Sequence, residues 1–316
     1  MTSDEPPTSF AQQYEQYQAL RSGRSVAELA GWSSIAVTGV DRHAFLHNFC
    51  TNDVKRLTPG DSCEAFFTNV KGKIVGHGLI DCRDTELAII GEPGQAARLS
   101  AHLDRYIIRE DVTLRDTTDE RTYLLVTGGP LNQGRLVSMP WPLFGRADAK
   151  LYDIAAAEAP IAIHEALAQG SALVGQQALE MARIEAGTPW FGVDFNEDNL
   201  PQEVGRDLQA ISFNKGCYLG QETVARIDAL GHVNQQLTGV RFFGSDVPQP
   251  GAKLLRDGRA VGTVTSAAYS PTLDTLLALA MIRREAHAVG TRLTSPAGDC
   301  EVVQLPAMSE GAREAT

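Results

Sequence analysis

The chain has 316 residues, 43% hydrophobic and 21% charged, with a formal net charge of -11 at pH 7. That length exceeds one small core, so two or three domains are expected, and the acidic balance argues against general nucleic-acid binding because no basic excess exists to neutralise phosphates. Cys50, Cys63, Cys82, Cys217 and Cys300 stand singly, with no C-x-x-C pair, which fits a reducing compartment and supplies no clustered thiolates for an iron–sulfur centre of the chain's own.

Residues 1–24 are polar, with Pro6-Pro7 and several glutamines, and read as a flexible or loosely helical lead-in. Asp4 and Glu5 stand where a signal peptide would carry positive charge, and the longest apolar run, Leu276 to Ile282, is of strand length; a cytoplasmic protein with no membrane partner is expected. Ser34–Thr38 predicts a strand, and Asp41 is placed to cap a helix carrying His43, His47 and Cys50 on one face. The spacing would suit metal ligands, but no glutamate stands as in H-E-x-x-H and Phe45, Leu46 and Phe49 form an apolar side, so no metal is predicted.

Residues 63–68, 73–81 and 86–90 alternate as an antiparallel meander. Pro93 then opens a helix with Leu99, Leu103 and Tyr106 on one side, and strands follow near 112–114 and 122–127. Residues 128–145, rich in Gly and Pro and containing Trp141, read as a long loop between lobes. A strand over 151–155, a helix over 160–169 ended by Gly170, and a second helix over 173–186 lead into Arg183-x-Glu185-x-Gly187-x-Pro189-x-x-Gly192-x-Asp194.

Residues 212–226 read as a loop feeding a helix. Gly216 permits a turn, and Cys217 falls near the helix N-terminus with Lys215 beside it. Dipole and ammonium would together depress the thiol pKa and make Cys217 nucleophilic; the alternative is a small buried hydrophobe. From Leu237 onward short strands dominate, with a hairpin at Asp257-Gly258, and point to a small antiparallel barrel.

Lys215-Gly216-Cys217-Tyr218, followed by Gly220-Gln221-Glu222, resembles the K-G-C-Y-x-G-Q-E signature of YgfZ-type folate-binding proteins at every fixed position. These are relatives of the glycine-cleavage T-protein, an aminomethyltransferase, and they assist iron–sulfur cluster enzymes. The resemblance runs from about Ser33 to about Pro306 and implies an α+β, T-protein-like three-domain arrangement around a central funnel, closed by a small β-barrel. The expected units are 25–55 with 146–234, 56–145, and 235–306, followed by a disordered tail at 307–316.

The same resemblance implies a tetrahydrofolate-binding accessory protein for assembly or repair of iron–sulfur enzymes, including those of tRNA modification, with Cys217 as functional thiol and Lys215 as its companion. Folate and iron–sulfur clients are the expected partners. A pterin edge offers a ring N–H beside an amino group, which a partly buried carboxylate accepts. Glu185 and Asp194 are the candidates, with Arg226 for an anionic tail, Tyr218 for an apolar wall and Glu222 as a further folate contact. T-protein relatives carry G-G-I-x-D-D where this chain has Gly72-Lys73-Ile74-Val75-Gly76-His77. Both carboxylates are gone, so aminomethyl transfer loses its best acid–base group, though a folate-dependent one-carbon transferase remains the alternative.

Overall fold

Ser9 starts the first helix reciprocally: its hydroxyl accepts from Gln12 N, and the Gln12 side chain accepts from Ser9 N at 2.9 Å. The computed structural model describes residues 9–139 and 144–306, so Trp141 and the expected disordered tail lie outside the described residues. In chain order the elements are α1 (Phe10–Ser22), β1 (Ser25–Glu28), β2 (Ser33–Thr38), α2 (Arg42–Phe49), β3 (Ser62–Thr68), β4 (Ile74–Cys82), β5 (Leu87–Gly91), α3 (Ala96–Asp104), β6 (Thr113–Asp116), β7 (Arg121–Thr127), β8 (Arg135–Val137), β9 (Lys150–Ala155), α4 (Ala159–Ala168), β10 (Ala172–Leu173), α5 (Gln176–Ala186), α6 (Asp207–Ala210) and α7 (Gln221–Leu230). The remaining strands are β11 (Gln235–Phe242), β12 (Lys253–Arg256), β13 (Arg259–Ser270), β14 (Thr275–Arg283), β15 (Arg292–Ser295) and β16 (Gly298–Val303).

β1 and β2 are close in sequence yet enter different sheets. The first sheet runs β10-β1-β7-β9-β8 and the second β3-β4-β5-β2-β6. This corrects the expected boundaries: residues 25–55 are divided between two units, and β7 and β8 join the first sheet rather than the meander. The sheets meet through buried charge, since Arg83 donates from Nε to Asp81 Oδ2 on β4 at 3.0 Å and from Nη2 to Asp153 Oδ2 on β9 at 2.5 Å. The C-terminal strands close into the barrel β11-β14-β13-β12-β15-β16, packed around Val240, Phe242, Leu254, Val264, Ile282 and Val302. Asp257 and Gly258, with φ of 52° and 74°, turn β12 into β13 as their dipeptide predicts.

The expected loose lead-in is instead a docked helix, with Tyr17 and Leu20 buried against α5 and its neighbours. Its anchor is Glu185, which is 2% exposed. Glu185 Oε2 accepts from Tyr17 OH at 2.5 Å and Thr272 Oγ1 at 2.9 Å, while Oε1 accepts from Ser270 Oγ at 2.5 Å and Thr272 N at 2.9 Å. One carboxylate therefore joins α1, α5 and the barrel. Burial and the Glu185 charge push the Tyr17 phenol up to about 12, so it stays a donor.

Tyr17→Phe removes one donor from this buried carboxylate and is expected to cost about 1.5–3 kcal/mol. Urea unfolding followed by tryptophan fluorescence checks this; an unchanged midpoint would show that the joint does not hold α1.

Candidate functional site

Between the sheets and the segment following α5 lies an apolar cleft of about 610 Å³, counted out to its open mouth, walled by Trp32, Leu79, Met139, Phe144 and Trp190 among others. The two indoles meet edge to face at 6.3 Å. Gly78 and Gly91 face each other in the wall because no side chain fits there: a Cβ on Gly78 would lie 2.2 Å from Ile90 O.

The polar end of the cleft is a buried charge cluster. His77 Nε2 lies 2.7 Å from Glu64 Oε1, and His77 Nδ1 lies 3.5 Å from Glu92 Oε1. Arg206 donates from Nε to Glu64 Oε1 at 3.0 Å and from Nη2 to Glu64 Oε2. Gln95 holds the arrangement from behind, accepting from His77 N at 2.9 Å and donating to Glu92 Oε2 at 3.1 Å. Phe66 and Phe195 pack against the imidazole.

Burial alone would favour neutral His77, but the Glu92 charge and the hydrogen bond to Glu64 outweigh it and raise its pKa to about 9. Burial likewise opposes the Glu64 anion, yet hydrogen bonds and charge from His77 and Arg206 hold its pKa down to about 2. At neutral pH the pair is imidazolium and carboxylate.

The signature loop lies elsewhere. Gly220, with φ of +82°, precedes α7, and a Cβ there would come 2.4 Å from Asn69 O and 2.9 Å from Gly72 Cα. Thr68 Oγ1 donates to Leu219 O at 2.5 Å and Leu219 N to Asn48 O at 2.9 Å, pinning the loop to the β3–β4 turn and the end of α2. Lys215 is 8% exposed, and its Nζ donates to His47 O at 2.5 Å, Cys50 O at 2.7 Å and Asn52 O at 2.9 Å. These carbonyls stand at and just beyond the carboxyl end of α2, where a cation complements the helix dipole.

The expected electrostatic pairing of Lys215 with Cys217 is therefore corrected: the ammonium is spent on α2, and Cys217 is exposed ahead of the Gly220 cap. Nor is Gly216 sterically required, since its φ is not positive and a Cβ would meet only His47 Nε2, at 3.6 Å. Cys217 is nonetheless the exposed thiol of the five; burial pushes up Cys50, Cys63, Cys82 and Cys300.

The expected folate contacts do not converge on the cleft. Glu185 is saturated as described, and Asp194 accepts from Arg183 Nη1 at 2.7 Å, Trp190 N at 2.9 Å, Thr265 Oγ1 at 2.7 Å and Ser266 Oγ at 2.6 Å. A carboxylate with both oxygens committed has little capacity left for a pterin. Tyr218 is buried among Phe66, Phe195 and Val224 with Lys215 over its ring at 4.8 Å, and Glu222 and Arg226 are exposed on α7. Sequence reasoning missed Glu64, Glu92 and Arg206 as site residues because each stands alone, far from the others in the chain. His77 was noticed only as a replacement.

Residues 5–134 match the GCVT N-terminal domain, and residues 235–307 match the glycine cleavage T-protein C-terminal barrel domain. The chain thus carries an N-terminal domain and a C-terminal barrel of the T-protein type. A chloroplastic protein of Arabidopsis thaliana named as a transferase is 26% identical over 90% of this chain and 71% of its own. The aminomethyltransferase of Chlorobium chlorochromatii is 26% identical over 90% of this chain and 86% of its own, and that of Rippkaea orientalis 22% over 92% and 86%. The fold is that of the glycine cleavage aminomethyltransferase T of Bartonella henselae, with a TM-score of 0.83 at 19% identity over 95% of this chain and 91% of that one.

The His77 pKa lies above its ordinary 6.5, so its stabilising contribution is complete below about pH 6.5 and is lost as pH rises through about 9. Melting temperature should fall across that interval, and His77→Gln should flatten the fall; parallel slopes would mean the imidazolium is not held. Lys215→Met leaves three carbonyls without their donor and is expected to lower stability by about 2–4 kcal/mol, read by urea unfolding, with no change predicted from Gly216→Ala.

Proposed function

We propose that this protein binds tetrahydrofolate or a derivative in the central cleft and serves iron–sulfur cluster enzymes as an accessory protein rather than transferring aminomethyl groups. The observation that carries the second half is the clamped His77. An imidazolium has no lone pair with which to take a proton, and Glu64 is neutralised by Arg206 and His77. The cleft is suited to hold a folate and poorly equipped to take protons from it.

The residues present fit the ligand. Trp32, Trp190, Leu79 and Phe144 offer apolar walls for the pterin and aminobenzoyl rings. Glu92 is the carboxylate best placed for the pterin donors, because its Oε1 has only the long 3.5 Å contact to His77. Arg206 lies at the same polar end. Tetrahydrofolate, when bound, supplies nitrogens that carry a one-carbon unit; Glu92 would orient its pterin and the indoles would exclude water. The accessory role for iron–sulfur enzymes, including those of tRNA modification, rests on the complete YgfZ-type signature and on Cys217 standing exposed, open to exchange with a client. Lys215 then acts as a positioning residue, holding the loop that presents the thiol.

Tetrahydrofolate should raise the melting temperature, by the equivalent of about 2.7 kcal/mol at a hundredfold excess over Kd. Glu92→Gln and Trp190→Ala should lose most of that shift, whereas Cys217→Ser keeps it and fails to restore cluster-enzyme activity in a deficient cell. Absence of any shift in the unaltered protein would remove the folate reading. The names of the relatives favour the alternative, a folate-dependent aminomethyltransferase, and robust turnover of a lipoyl-bound aminomethyl donor would put that reading first.

A further inference from the structure

A second pocket, of about 650 Å³ out to its open mouth, opens where the carboxyl end of α7 meets α6 and the start of the barrel. Its polar lining is dominated by acceptors. Gln202 is 6% exposed; its Nε2 donates to Val224 O at 2.7 Å, but its Oε1 is buried with no hydrogen-bond partner. Asp207 Oδ1 is likewise buried and unpartnered. Asp228 lines the same pocket, and burial together with the Asp228 charge pushes Asp207 up to about 6.

Among the described residues no lysine or arginine lines this pocket to balance the two carboxylates. His232 Nδ1 is taken up by Leu230 O at 2.9 Å, and His287 is the other titratable group facing in. The negative end of the α7 dipole points the same way. Orphaned buried acceptors beside crowded carboxylates are costly unless a cationic donor comes to them. Among the described residues no group of three His, Cys, Asp or Glu is arranged to hold a metal ion, while Ile227 and Val233 give an apolar flank suited to a carbon chain.

We propose that this pocket binds the ammonium group of an aliphatic amine, with Gln202 Oε1, Asp207 and Asp228 accepting its three N–H bonds. Three donors on one cationic centre match three acceptors, and the alkyl stem lies against Ile227 and Val233. The site is separate from the central cleft, sharing none of its lining residues, and does not depend on the folate reading.

Calorimetric titration of the full chain with n-butylammonium chloride and with spermidine should give saturable binding, while n-butanol gives none. Asp207→Asn and Asp228→Asn should each weaken the amine about tenfold or more, as expected for loss of a charge-assisted partner. Asp228 is exposed on α7, so its variant remains informative if Asp207→Asn alters folding. The tetrahydrofolate melting shift, measured on the same proteins, should be unchanged. No saturable heat from either amine, an affinity in both variants unchanged from that of the unaltered protein, or binding of manganese chloride in preference to the amines would each overturn the proposal.

Discussion

Buried carboxylates with every oxygen occupied hold this molecule together. Glu185 ties α1 and α5 to the barrel through four hydrogen bonds, and Asp194 ties the Arg183 end of α5 to β13. An ionised carboxylate stripped of water without such partners would cost several kcal/mol, so each joint is all or nothing. That constraint makes the R-x-E-x-G-x-P-x-x-G-x-D stretch a structural seam: its acidic residues fix the barrel against α1 and α5, while Thr188, Pro189 and Trp190 between them line the cleft.

The signature loop follows the same logic with the opposite charge. Lys215 reaches the carboxyl end of α2 and satisfies three carbonyls there, while Gly220 closes against Asn69 and Gly72 where a side chain would collide. Lys215, Tyr218 and Gly220 thus build the loop, and Cys217 faces solvent beside the exposed Gly216. A conformation held so firmly presents the Cys217 thiol at a constant place.

The polar end of the cleft is set by how one imidazole is held. The His77 imidazole is captured between Glu64 and Glu92. The result is a charge cluster balanced by Arg206 that is strong in orientation and weak as a base. Among the described residues no helix is long and apolar enough to cross a membrane.

The sequence by itself determined the class of fold, because local signals decide it: alternation in β3 to β5, the Asp257-Gly258 turn, and the short strands of the barrel all survive into the structure. It also carried the string from Lys215 to Glu222 and the presence of His77 in β4. Tertiary structure alone decided which charged groups meet. Glu64, His77, Glu92 and Arg206 come from separate segments, and Lys215 turns toward residues 47–52 rather than toward its own neighbour. Periodicity reports which face of an element is buried, but the partner of a buried charge is chosen by three-dimensional packing, and at these positions the choice separates a structural joint from a ligand contact.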